Sequence, residues 1–429
     1  MQSFVTEQRN ALSVHALPTC KYMNRYIHLS IVNERGRIPA AAFSVILRLL
    51  FNYSRGGLAN RHTQQQLWSL YADQLTCDVE FKGDTQIASI RLRLPDGTLS
   101  HAGERTKESI ELLAHLLFGP AVNGRFDYDE TQYEEELAWV EHHTGCRTSD
   151  WDHVVRERCL SWLGYVEHSI EAELSELRRC IHDGELYPWY RELLRCPMHI
   201  HVIGDCIPEA MTAHIFATFP ILEDTARKEV PLFATSQGTP LSRKEDGEFM
   251  LELMDIQQSK LNVAFTTGIE YGSAAYPALF LFHSVFGATP ASRLQLGLRE
   301  RKQWVYQIYS TLDDYRGALH VTTGTSSGRV TDVLEEIDAE WMRLCNGDIP
   351  EHELHRAIQN IIHYVQVGYD LPDQVVSLHM DRLLHGVQMT TPQFLEAISD
   401  TSSKQVAEVA SGMKKEVTWI LFPKHEYSA

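Results

Sequence analysis

Polar and apolar residues alternate cleanly over Gln86–Leu94, where Ile90, Leu92 and Leu94 fall on one face, the two-residue period of a half-buried strand. Tyr26–Val32 and Thr76–Phe81 predict two more strands. Between them the period changes. Ala40–Phe51 (AAAFSVILRLLF) is apolar nearly all round and predicts a buried helix, and Thr63–Leu75 sets Leu67, Leu70 and Tyr71 on one stripe of a second. From Glu108 the spacing is helical again, with Ile110, Leu113, Leu116 and Leu117 aligned, and further helices are expected over 131–143 and 165–179. A strand at His199–Gly204 and a helix opened by Pro208 close this half.

Residues 220–247 break the rhythm with charge, Gly, Pro and Ser, the composition of a linker. The first order then recurs. Lys260–Gly268 predicts a strand, 277–285 and 292–301 two helices, 305–311 and 317–324 a strand pair, and 331–345 and 350–368 two helices, the last opened by Pro350 at its first position. The simplest account is an α+β chain of two duplicated domains, each an antiparallel sheet packed against helices, with two unrelated α+β domains as the alternative. The expected boundaries are 1–220, a linker at 221–247, and 248–429.

Composition narrows the function. The formal net charge is -18, from 39 Lys+Arg against 57 Asp+Glu, which argues against a protein that grips nucleic-acid phosphates. The 8 cysteines form no CxxC pair and predict reduced thiols in a cytoplasmic protein. The start of the chain lacks the basic-then-apolar pattern of a signal peptide. The longest apolar stretch, Tyr276–Phe286, is too short to span a bilayer and carries a histidine.

Candidate chemistry concentrates in Gly287–Tyr306 (GATPASRLQLGLRERKQWVY), a glycine/proline loop and helix that bring Arg299 and Tyr306 seven residues apart. A guanidinium fork grips carbonyl or carboxylate oxygens, and a phenol donates one hydrogen bond. Elsewhere the signals are weaker. His199 and His201 share a strand face with Asp205 just beyond, but the sequence offers no third metal ligand. His142 and His143 are adjacent and point to different sides of a helix. Gly324–Gly328 lacks the lysine of a phosphate loop and reads as a turn.

These segments resemble the M16 metallopeptidases, the family of mitochondrial processing peptidase and insulysin. The resemblance spans nearly the whole chain. It is strongest over Gly287–Tyr306, with further matches at Gly124–Leu137 and around Gln258 and Leu261. It implies the fold of mitochondrial processing peptidase and LuxS, with the two domains arranged as a clamshell. Active members carry HxxEH on the first buried helix and a glutamate ligand downstream. Here the matching positions are Leu47, Leu50 and Phe51, with Glu134, Glu135 and Glu136 near the third ligand's place but without partners. Neither HxxEH nor HExxH occurs in the sequence, so no catalytic residue and no metal ligand is assigned to this chain.

The resemblance therefore implies a short bacterial subunit, inactive alone, that pairs with a catalytic M16-type subunit supplying the zinc. Together they would process peptides, including ribosomally made, modified peptides and bacteriocins. Arg299 and Tyr306 would contact the peptide. A structural scaffold with no part in processing is the alternative.

Overall fold

The computed structural model describes residues 3–34, 37–51, 75–95, 102–119, 121–122, 125–126, 130–147, 149–165, 175, 186–220 and 248–427. The helices expected at 63–75 and over most of 165–179, and the linker at 221–247, lie outside these residues. The chain divides into two compact units, residues 1–146 with 168–230, and residues 147–167 with 231–429.

The first unit is built on strands β1 (Val5–Arg9), β2 (Leu12–Pro18), β3 (Asn24–Asn33), β4 (Leu75–Lys82) and β5 (Thr85–Pro95), with helix α1 (Ala40–Phe51) between β3 and β4. Helices α2 (Ala102–Phe118), α3 (Glu130–Arg147) and α5 (Leu186–Leu193) follow. A two-stranded ribbon, β6 (Ala121–Val122) with β7 (Arg125–Phe126), joins α2 to α3. Strand β8 (Met198–Gly204) and helix α6 (Pro208–Thr218) complete the unit. The sheet runs β1-β2-β8-β3-β5-β4. Its alternation sends Val14, Leu29, Ile31, Ile90, Leu92, Ile200 and Val202 into one core with the buried faces of α1, α2 and α5.

The second unit holds β9 (Glu248–Met254), β10 (Ser259–Thr266), α7 (Tyr276–His283), β11 (Val305–Asp313), β12 (Ala318–Thr325) and β13 (Lys414–Pro423). Between β12 and β13 come α8 (Val330–Cys345), α9 (Glu351–Gly368), α10 (Pro372–His385), α11 (Thr391–Ser399) and α12 (Ser403–Gly412). Its sheet runs β11-β12-β10-β13-β9. Leu261, Val263, Phe265, Leu319, Val321 and Ile420 face a core with Phe282, Phe286, Val333 and Ile337.

The two sheets repeat one plan. The pairs β4/β5, β5/β3 and β3/β8 are antiparallel, as are β11/β12, β12/β10 and β10/β13. The pairs β2/β8 and β9/β13 are parallel. Each sheet is therefore mixed, not antiparallel as the sequence suggested. Most of a domain separates the two parallel strands in the chain, so the connection has room to return in the same direction.

Two local differences have simple causes. Pro350 sits at the N-cap, one place before the expected one, with φ -59° and ψ 142°, and its carbonyl accepts the N–H of Leu354 at 3.1 Å. Helix α4 (Trp151–Trp162) lies inside the 1–220 boundary drawn from the sequence, yet packs with the second unit. Its Cys159 meets Leu163, Ala264 and Val417, and its Val155 meets Ile256 and Leu421. Asp150 caps it, accepting from the N–H groups of Asp152 and His153. No helix among the described residues is long and apolar enough to cross a membrane.

Candidate functional site

The segment leading into β11 is held from several sides. After α7 the chain widens into a π-type turn at Ser284–Ala288, where Gly287 presses on β11. A Cβ at Gly287 would lie 2.8 Å from Ser310 Oγ and 3.0 Å from its Cβ, so only glycine fits without a shift. His283 donates from Nε2 to the Ser310 carbonyl at 3.0 Å, and burial holds this imidazole below its usual pKa. Arg293 anchors the loop that follows. It makes a two-pronged ion pair with Glu353 at 3.0 and 2.7 Å and donates to the Asp348 carbonyl at 2.5 Å.

A second wide turn, Gln295–Arg301, carries Arg299, in place of the regular helix expected there. Its Gln295 side chain bonds the Ile308 carbonyl of β11. The chain leaves the turn through Gln303, a non-glycine residue at φ 53°, and enters β11, the outer strand of the sheet among the described residues. Val305 pairs with Thr325 but Ile308 with Thr323, so Tyr306 and Gln307 together face Gly324 in a β-bulge. The bulge turns Tyr306 outward, where it is 83% exposed. Gln307 points back and donates to Asp152 of α4 at 2.6 Å, and Lys260 holds the other oxygen of that carboxylate at 2.7 Å.

Arg299 is also exposed, and its ion pair is with its neighbour Glu300 at 3.6 Å, not with Tyr306. The pair thus stands on a rigid base with both polar ends facing solvent. It can donate hydrogen bonds to a bound chain. Neither side chain can activate water.

In the first unit, Leu47, Leu50 and Phe51 lie at i, i+3 and i+4 on α1 and are at most 2% exposed. They fill the core as apolar residues. Arg48, on the same helix, reaches Glu136 of α3 at 2.6 Å and stacks 3.3 Å from the ring centre of Trp139. Glu136 thus pairs with a guanidinium of α1 and not with a companion metal ligand. Nearby Cys77 offers no nucleophile, since burial pushes its thiol up to about 12.

The remaining candidates separate. His142 lies exposed on α3, and the side chain of His143 falls outside the described residues. Gly324–Gly328 is a turn in which Ser327 Oγ lies 3.0 Å from Ser259 Oγ. His199 and His201, by contrast, gain neighbours that the linear sequence hides: His15 of β2 lies beside both.

Residues 207–361 match the family model described as "Peptidase M16 inactive domain". Over these residues the chain is similar to the M16 peptidase inactive domain. Over 430 residues the chain is 20% identical to a "Probable inactive metalloprotease YmfF" of Bacillus subtilis, covering 98% of each. A conserved protein from Enterococcus faecalis superposes with TM-score 0.83 at 20% identity, over 98% of this chain and 99% of that one. The periplasmic protease PqqL of Escherichia coli superposes with TM-score 0.66 at 14% identity, over 98% of this chain but 46% of PqqL. The α+β architecture of sheets packed on helices is thus that of M16-type structures. Neither HxxEH nor HExxH occurs in the sequence, so α1 does not carry the family's zinc motif.

Proposed function

We propose that this chain is the non-catalytic subunit of a heterodimeric M16-type zinc peptidase, and that Arg299 and Tyr306 help hold a peptide while the partner supplies the zinc. One observation carries this: the bulge that exposes Tyr306 on an outer strand, beside a braced turn that exposes Arg299, in a domain of the M16 inactive type. The two exposed side chains supply donors for the carbonyls of an extended peptide lying across them. A closed chamber of the mitochondrial processing peptidase kind, with each subunit a two-domain clamshell, belongs to the same proposal. The alignment of the chain with less than half of PqqL supports a partner of similar size.

Ribosomally made or modified peptides, bacteriocins among them, are the substrate class proposed. The cytoplasm is the proposed compartment, supported by the unbridged thiols of Cys20, Cys77, Cys159, Cys196 and Cys345.

The test is a complex reconstituted with an HxxEH-bearing M16 subunit from the same cell. Arg299→Ala and Tyr306→Phe should each lower kcat/KM by about tenfold, the effect of losing one hydrogen bond to a charged or polarised group, with the heterodimer intact by sedimentation. Unchanged rates in both variants would reduce the chain to a scaffold.

A further inference from the structure

The polar face of the first sheet gathers histidines from three strands. On β2, β8 and β3 the odd-even alternation turns Val14, Ile200, Val202, Leu29 and Ile31 into the core, which leaves His15, His199, His201 and His28 on the other face. Register brings them together. In the parallel β2/β8 pair His15 lies opposite His201 and Ser13 opposite His199, and in the β3/β8 pair His28 lies opposite His201.

His15 Nε2 is 3.1 Å from His199 Nδ1. The rings of His15 and His201 stack at 4.5 Å, and a ligand nitrogen of each lies within 4.8 Å of the other. Imidazole nitrogens bound to one tetrahedral zinc stand roughly 3.3 Å apart, from Zn–N bonds of about 2.05 Å. The His15–His199 spacing is close to that value, and the His201 ring stacks on His15 beside it.

We propose that His15, His199 and His201 form a binding site for one divalent transition-metal ion of the zinc class, which cross-links strand β2 to strand β8. The site lies on the sheet, away from α1, and owes nothing to the HxxEH positions. Its role is structural: it ties together strands whose histidines are 184 residues apart in sequence.

Three features around the rings suit a metal. Thr6 of β1 sits with Oγ1 2.9 Å from His15 Nδ1. A proton on Nδ1 shared with Thr6 leaves the Nε2 lone pair directed at the site, the usual orienting contact behind a metal-bound histidine. His15 and His201 are buried, at 1% and 0% exposure, so bulk water does not compete for the site. Finally, both ring nitrogens of His28 are buried with no hydrogen-bond partner among the described residues, which is the signature of an ion or water beside them. Zinc, cobalt, nickel and copper all favour imidazole donors, whereas magnesium and calcium require oxygen. Without metal, the His15–His199 contact serves as an N–H···N hydrogen bond, so stripping the ion leaves the sheet paired.

The test is titration of chelator-stripped, full-length protein with Co²⁺ as the optical probe and Zn²⁺ as competitor. One equivalent of Co²⁺ should give the visible d–d bands of a tetrahedral nitrogen site, and one equivalent of Zn²⁺ should abolish them. His199→Gln should weaken binding by about a hundredfold or more, and Thr6→Val by about tenfold, the loss typical of an orienting partner. His142→Gln, on an exposed helix face, should bind as wild type. His199 is half-buried, so its variant is expected to fold, and circular dichroism checks this. No stoichiometric Co²⁺ uptake, or uptake equal in wild type and His199→Gln, would overturn the site.

Discussion

In the first unit a mostly buried ion pair ties α1 to α3. Arg48 and Glu136 are about one-tenth exposed, at 12% and 11% of their side chains, so each screens the other from an unpaired burial. Removing one partner of such a pair costs about 3 kcal/mol, because the remaining charge is stranded. Arg48→Ala should lower the urea stability of the first unit by that amount. The double change Arg48→Leu with Glu136→Leu should recover most of it, and a fully additive loss would contradict a direct pair. Asp314 makes a pH prediction in the second unit. Burial, with Asp313 and Asp381 adding repulsion, raises its carboxyl to about 7, although Tyr276 donates a hydrogen bond to it at 3.0 Å. A folded-state pKa above the unfolded 3.8 means that its contribution is complete below pH 3.8 and is lost as pH rises to about 7. Asp314→Asn should therefore flatten the part of the stability–pH curve between those values. An unchanged curve would place the titration elsewhere.

At the scale of elements, α4 and the bulged β11 depend on one carboxylate. Asp152 receives Lys260 and Gln307 at 2.7 and 2.6 Å, and Gln307 points inward only because the bulge points Tyr306 outward. Asp152→Ala should cost about 2 kcal/mol and speed amide exchange across 151–162 and at the start of β11. Exchange unchanged in both would separate the two elements. Neither the docking of α4 nor the bulge was legible in the sequence. The apolar residues of α4 show that it packs, not on which sheet, and a bulge is a register property of two distant strands. The long elements were legible, since α1, β5, β12 and α8 each sustain one period. Strands β9 and β13 went unread. β9 follows a stretch of linker composition, and the opening lysines of Lys414–Trp419 (KKEVTW) hide its apolar residues. The nearness of Arg299 to Tyr306 was legible because one continuous segment carries both. The clustering of His15 with His199 and His201 was not, because it arises from the β2/β8 register.

On the scale of the whole molecule, one strand plan is used twice and neither copy retains an M16 zinc motif. The second copy exposes Arg299 and Tyr306, and the first buries Leu47, Leu50 and Phe51 in its core. Such a division of labour fits a subunit that contributes shape and contacts to chemistry done elsewhere. The most direct test is peptide cleavage and zinc content of the purified protein, alone and mixed with an HxxEH-bearing M16 subunit. The account predicts no cleavage by the chain alone, whatever metal its histidines carry, and cleavage by the mixture that exceeds the partner's own. Cleavage by the chain alone, abolished by chelation, would contradict it.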